Sequence, residues 1–181
     1  MRIVFLFLVL MGSTLGACAQ DAQLKPITGF DAQRYMGRWY EIAKYPNTFQ
    51  ARCESGVFAD YSLSSDGSVA VENSCTTFAG KAMVAKGLVK FTGDTDTASL
   101  KVRFAPAWLS WLPFVWGDYW VIDLDSHYRL AAVGEPSRKY LWILSRDKVV
   151  DDQSYARLLD RLEAMGYDTH RLMSSKIDAS K

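Results

Sequence analysis

The sequence predicts an all-β fold, an eight-stranded antiparallel up-and-down β-barrel with one α-helix packed outside it near the C-terminus. Eight short apolar or alternating runs follow one another between turn signals, at a spacing suited to a barrel or sandwich. Several of these runs alternate apolar and basic residues, which marks a sheet with one wet face. A single stretch, close to the C-terminus, has the spacing of an amphipathic helix. With 181 residues, 49% of them apolar, the chain suits one domain with a full core.

The elements follow in order. Arg2 is the one charge ahead of an apolar run over 3–11, and small or short-chained residues fill 12–17. This predicts a signal peptide over 1–17, too short to span a bilayer as a stable helix. It ends in Leu15-Gly16-Ala17-Cys18, which resembles the bacterial lipobox. That resemblance implies an acylated Cys18 as the new N-terminus, and Ala19 rather than Asp after it implies the outer membrane. A plain signal peptide followed by a chance cysteine is the alternative. Residues 18–29, polar and carrying Pro26, read as the lipidated cysteine and a tether. The barrel then occupies 30–173, and 174–181 form a tail.

Strands are expected at 38–44, 57–63, 69–75, 85–91, 100–104, 116–124, 128–133 and 140–145. Ser65-Asp66-Gly67 fits a tight hairpin whose glycine takes a left-handed conformation. Thr92-Gly93-Asp94 and Asp125-Ser126-His127 also read as tight connections. Residues 47–54 and 105–115 are longer, and in an up-and-down order both fall at the end where the first strand finishes. The barrel thus has a tightly turned base and a loop-rich mouth. In Leu100-Lys101-Val102-Arg103-Phe104 the apolar residues share one face, whereas the sixth and eighth runs are apolar on both. Their outer faces need a cover, and the helix expected at about 152–165 supplies one. An Asp pair caps its start, Tyr155, Leu158, Leu159, Leu162 and Met165 form its stripe, and Gly166 follows it.

Charge and cysteine content exclude some functions. Without Arg2 the acidic and basic side chains balance, which does not suggest a nucleic-acid partner. With Cys18 assigned to lipid, Cys53 and Cys75 remain as a pair in an oxidising compartment, which favours a disulfide over two free thiols. A regular hairpin centred near Asp66 would place Cys75 opposite Val57, so the disulfide requires the chain to fold back. His127 and His170 are isolated, and no metal site or cofactor is expected.

Two motifs carry a family resemblance. Gly37-Arg38-Trp39 at the start of the first strand resembles the Gly-X-Trp signature of the lipocalin family. Trp142-Ile143-Leu144-Ser145-Arg146 resembles that family's closing motif at the end of the eighth strand. The family's middle signature is matched loosely by Asp125 and Tyr128. The nearest likeness is to bacterial outer-membrane lipocalins and apolipoprotein D. In a closed barrel Trp39 and Arg146 meet at the base, where a cation–π contact would plug it. Gly37, Trp39 and Arg146 are therefore expected to be structural.

The expected function is binding. A pocket walled by Tyr61, Phe91, Phe104, Trp116, Tyr119, Tyr140 and Trp142 would be apolar with a few polar donors. The resemblance implies a fatty acid or lysophospholipid as ligand, stored or transported by a protein whose domain faces the periplasm. The alternatives are a lipocalin-fold enzyme or chaperone acting on an isoprenoid or tetrapyrrole, and a filled envelope module that binds nothing. No enzyme is expected, because neighbouring Ser126 and His127 point apart and lack an oxyanion loop. Glu41 shares the parity of Trp39, and faces the cavity or finds a partner near the rim. The loop over 105–115, with Trp108, Leu109, Trp111 and Leu112, is expected either to fold inward as a lid or to contact the membrane.

Overall fold

The computed structural model describes residues 23–65 and 68–177. The expected signal peptide, Cys18 and residues 66–67 of the expected tight hairpin lie outside the described residues. The strands are β1 (Gly37–Lys44), β2 (Cys53–Leu63), β3 (Val69–Thr77), β4 (Ala82–Phe91), β5 (Ser99–Arg103), β6 (Gly117–Leu124), β7 (Leu130–Gly134), β8 (Leu141–Ser145) and β9 (Met173–Ser174). The first eight pair antiparallel in chain order, and β1 pairs with both β8 and β2, which closes the barrel. Helix α1 (Ala32–Tyr35) precedes β1, and α2 (Asp152–Ala164) follows β8.

Most strand ends move by a few residues from expectation. Tyr128 stands in a left-handed turn conformation, so β7 starts at Leu130 instead. The Asp125 carboxylate accepts from the amides of His127, Arg129 and Leu130, which holds this turn in shape. Asp125 and Tyr128 of the loosely matched signature thus build one corner of the base.

Two bulges set which side chains face in. In β1 the register against β8 slips between Glu41 and Ala43. Trp39 and Glu41 therefore turn inward, whereas Ala43 turns outward beside Ile143 under α2. In β6 the slip between Val121 and Asp123 leaves Val121 in the inner core and sends Asp123 out. There both its oxygens are gripped by Arg161 of α2, at 2.6 and 2.8 Å.

The helix is placed as its pattern predicts. The Asp151 carboxylate accepts from the Ser154 amide at the N-cap, and Gly166 follows the C-cap with φ +85°. Leu158 and Leu162 are wholly buried against Ala43, Ile122, Leu130, Ala132, Leu141 and Ile143. Burial on this scale contributes about 2 kcal/mol per leucine. It also explains why β8 is apolar on both faces. Gly134 has no room for a side chain, since a Cβ there would lie 2.1 Å from the Tyr167 hydroxyl.

Both ends of the domain depart from expectation. The tether is docked from Leu24 onward: Leu24 is buried, Ile27 donates to Val121 and accepts from Ala98, and Thr28 bridges Thr97. The tail is likewise part of the sheet. β9 pairs with Ala43 and Lys44, and Lys176 accepts from the Gly56 amide, so residues 173–176 fill the seam where β1 and β2 part.

Cys53 and Cys75 are bonded, with Cα atoms 5.6 Å apart. Two irregularities in β2, between Cys53 and Ser55 and between Ser55 and Phe58, reconcile this with the hairpin. They place Cys53 opposite Thr77, with Cys75 as its diagonal neighbour, and Gly56 supplies a left-handed residue between them.

Candidate ligand-binding site

The base is closed by Trp39, wholly buried, and by Arg146, whose guanidinium carbon stands 4.0 Å from the Trp39 ring centroid. Arg146 also donates to the carbonyls of Arg34, Tyr35, Met36 and Arg38, and from Nε to Tyr128. It thereby takes up the free carbonyls at the end of α1. Gly37 is required beside it, having φ +92° and Arg146 Nη1 3.4 Å from where a Cβ would lie. Desolvation lowers the pKa of Arg146 from its ordinary value, with Tyr35 opposing.

Above this plug lies a buried cluster of tyrosine hydroxyls. Tyr119 is the hub, 3.0 Å from the Tyr35 oxygen and 2.8 Å from that of Tyr61. Burial pushes Tyr61 up to about 12 and raises Tyr35 and Tyr119 well above the usual range, so all three stay protonated at neutral pH. They share a small cavity with Phe30, Met36, Val69, Val89, Phe91 and Leu100.

Higher up, the wall opens to solvent. Val102 and Trp142 face inward on their strands yet are only partly buried, as is Tyr140 just before β8. Inward residues of a filled core would be covered, so solvent reaches this half of the barrel. Tyr140 and Trp142 stack with centroids 5.8 Å apart. The Trp142 indole donates to Gln50 Oε1 at 3.1 Å, and Gln50 Nε2 donates to Glu41 at 2.5 Å. Glu41 is buried and also accepts from Ser175 Oγ and pairs with Lys44 at 2.9 Å. Sequence reasoning named Glu41 but missed Gln50, Lys44 and Ser175, which come from a loop, the far side of a bulge and the tail.

Tyr61, Phe91, Tyr119, Tyr140 and Trp142 thus share the inner face. Two expected wall residues do not sit as expected. Trp116 stands on the outer face, between Lys90 and Arg103 at 4.1 and 5.2 Å from its ring centroid, and donates to the Ser110 carbonyl. Trp116 directly precedes β6, and three residues from Tyr119 along an extended chain it falls on the opposite face. Phe104 lies just past the end of β5, 44% exposed, with its ring against Gly87 at the rim. Nor do Ser126, His127 and the nearby acids form a triad: Asp123 is held by Arg161, and Asp125 by backbone amides.

The loop over 105–115 forms two short 3-10 turns, Ala107–Leu109 and Pro113–Val115. Trp108, Trp111 and Phe114 are 74%, 76% and 79% exposed. Leu109 and Leu112 are partly covered instead of projecting outward. Phe49 and Phe78, from the two other loops on that side of the mouth, are also exposed.

Comparison with known proteins agrees with this architecture. Residues 30–176 match the sequence profile of the Lipocalin-like domain. The chain is 39% identical over 162 residues to the outer membrane lipoprotein Blc of Citrobacter freundii, covering 87% of this chain and 86% of that one. It is 38% identical over 154 residues to temperature-induced lipocalin-1 of Arabidopsis thaliana, covering 84% and 82%. Among solved structures, insecticyanin of the tobacco hornworm superposes with a TM-score of 0.66 at 20% identity, covering 86% of this chain and 85% of that one. A closed eight-stranded barrel plugged by Trp39 and Arg146, and this match across nearly the whole described chain, place the protein in the lipocalin family.

Proposed function

We propose that this chain is an outer-membrane lipoprotein, anchored through Cys18 with its domain facing the periplasm, that binds a fatty acid or lysophospholipid and is not an enzyme. The inward but incompletely buried aromatic wall of Phe91, Tyr119, Tyr140 and Trp142 carries this reading. It provides an apolar cup closed at one end, suited to an acyl chain that gains about 0.8 kcal/mol per buried methylene. The anchor is supported by the lipobox and by relatives named outer membrane lipoproteins.

The reading extends to the rim. Phe49, Phe78, Trp108, Trp111 and Phe114 all project from the mouth end, and no charged residue falls between Phe104 and Trp116. Indoles favour the membrane interface, so the mouth rests against lipid and ligand passes without crossing water. Since the chain docks on the barrel at Leu24, the link from Cys18 spans at most about 20 Å. That keeps the barrel close to the bilayer.

Native mass spectrometry of the protein purified from its own envelope tests the ligand. One bound fatty acid or lysophospholipid per barrel is expected. A bare barrel that also fails to take up either lipid in titration would refute the proposal. For the rim, the chain carrying Cys18→Ser is expected to retain weak affinity for phospholipid vesicles, and Trp108→Ser with Trp111→Ser to abolish it. Equal vesicle binding by both forms would remove the membrane-facing mouth.

A further inference from the structure

The outer face of β4 and β5 is basic. Val89, Leu100 and Val102 turn into the core, so strand alternation sends Lys86, Lys90, Lys101 and Arg103 outward. Lys90 stands directly opposite Lys101 across the two strands. Like charges in that relation weaken a sheet, so the fold itself gains nothing from this pair. Two acids flank the row, Glu72 against Lys86 and Asp118 against Lys101, both at 2.7 Å. Among the described residues no carboxylate pairs with Lys90 or Arg103. The face therefore keeps a net positive charge, in a chain of 21 basic and 20 acidic side chains.

This row runs into the aromatic rim. Lys90 Nζ and the Arg103 guanidinium carbon lie 4.1 and 5.2 Å from the centroid of the Trp116 ring, whose indole donates to the Ser110 carbonyl. Ser110 stands between the exposed Trp108 and Trp111. Arg103 Nη1 donates to the carbonyls of Ala105 and Pro106 at 2.9 and 2.6 Å, which fixes the start of the same loop. At the turn between β3 and β4, Phe78 and Lys81 are both exposed and repeat the combination of ring and cation. The tether docks on this side as well, since Ile27 bonds to Val121 of β6 and to Ala98 just before β5. Cations, interfacial indoles and the segment leading from Cys18 thus converge on one side of the barrel.

We propose that the outer face of β4 and β5, together with the 105–115 loop, rests on a bilayer that carries anionic phospholipids. The lysines lie against the charged head groups, and Trp108 and Trp111 sit in the interface. Attraction of lysine to an anionic surface acts over about a Debye length, and indoles favour the interface itself. This inference rests on the membrane-facing reading of the mouth and adds to it which side of the barrel lies down and which lipid it selects.

The test uses the chain carrying Cys18→Ser and sedimentation with two kinds of vesicle, phosphatidylcholine alone and an equal mixture with phosphatidylglycerol. At low salt the mixed vesicles are expected to bind about tenfold more tightly or better, and the advantage to vanish in molar salt, where the Debye length falls to about 3 Å. Lys86→Gln with Lys90→Gln should bring the two vesicles within about threefold of each other. Arg129→Gln with Lys148→Gln, which removes the same charge at the base, should leave the preference in place. Equal binding of both vesicles by the Cys18→Ser parent overturns the anionic preference while leaving the mouth contact intact, and this comparison needs no substitution in the face. An equal loss in the base variant would trace the effect to net charge and overturn the assignment of the face. A preference that survives molar salt also overturns it. Failure to bind either vesicle overturns the membrane-facing mouth and this inference together.

Discussion

Arg146 covers the Trp39 indole at 4.0 Å while its guanidinium donates to carbonyls in the last turn of α1, to those just after it and to one in the turn before β7. One side chain thus ties the entry of β1 to the exit of β8. Arg146→Lys keeps the charge but cannot fan out to five carbonyls. It is expected to lower stability by about 2 kcal/mol or more, read as a shift in urea midpoint. An unchanged midpoint would show the carbonyls to be satisfied by water.

The tyrosine cluster predicts alkaline sensitivity. Tyr61, held up at about 12, and Tyr35 and Tyr119, raised well above the usual range by burial, keep protons that the unfolded chain releases near pH 10. The native state therefore binds more protons than the unfolded state above pH 10. Their contribution is complete below pH 10 and is lost as pH rises toward and past 12. Denaturant melts from pH 8 to 11.5 should show stability falling only above 10, and Tyr119→Phe should flatten that fall. An identical slope in the variant would place the titration elsewhere.

The disulfide closes a loop across 22 positions. Cys53→Ala with Cys75→Ala should cost about 3 kcal/mol through the freer unfolded chain, measured by thermal melting of the oxidised parent and the variant. Because the bond pins the mouth ends of β2 and β3, amide exchange should quicken there and stay slow at the base. A loss spread evenly over the barrel would contradict this.

The C-terminal seam predicts a local effect. Lys176 accepts from the Gly56 amide, and Ser175 donates from its amide to Ile42 and from its hydroxyl to Glu41. A chain ending at Leu172 should lose protection at Gly56 by at least tenfold and free the Glu41–Gln50–Trp142 chain, seen as changed Trp142 fluorescence. Unchanged exchange at Gly56 would mean that the seam closes without the tail.

Much of this protein follows from local pattern. The alternation in β4 and β5, the two-sided apolar runs of β6 and β8, and the stripe on α2 determine an eight-stranded barrel with one covering helix. Periodicity reports which face is buried without knowledge of the partner. The Trp39 and Arg146 ends could be paired because barrel closure makes β1 and β8 neighbours. What the tertiary structure decided lies where the register breaks or a distant segment intrudes. Bulges at Ile42 and Ile122 reverse the faces of Ala43 and Asp123, and a residue count cannot locate a bulge before the pairing is known. Trp116 is an expected wall residue, yet its odd spacing from Tyr119 already opposes a shared face. Gln50, Ser175 and Lys176 carry no local signal, because their partners lie on segments remote in sequence.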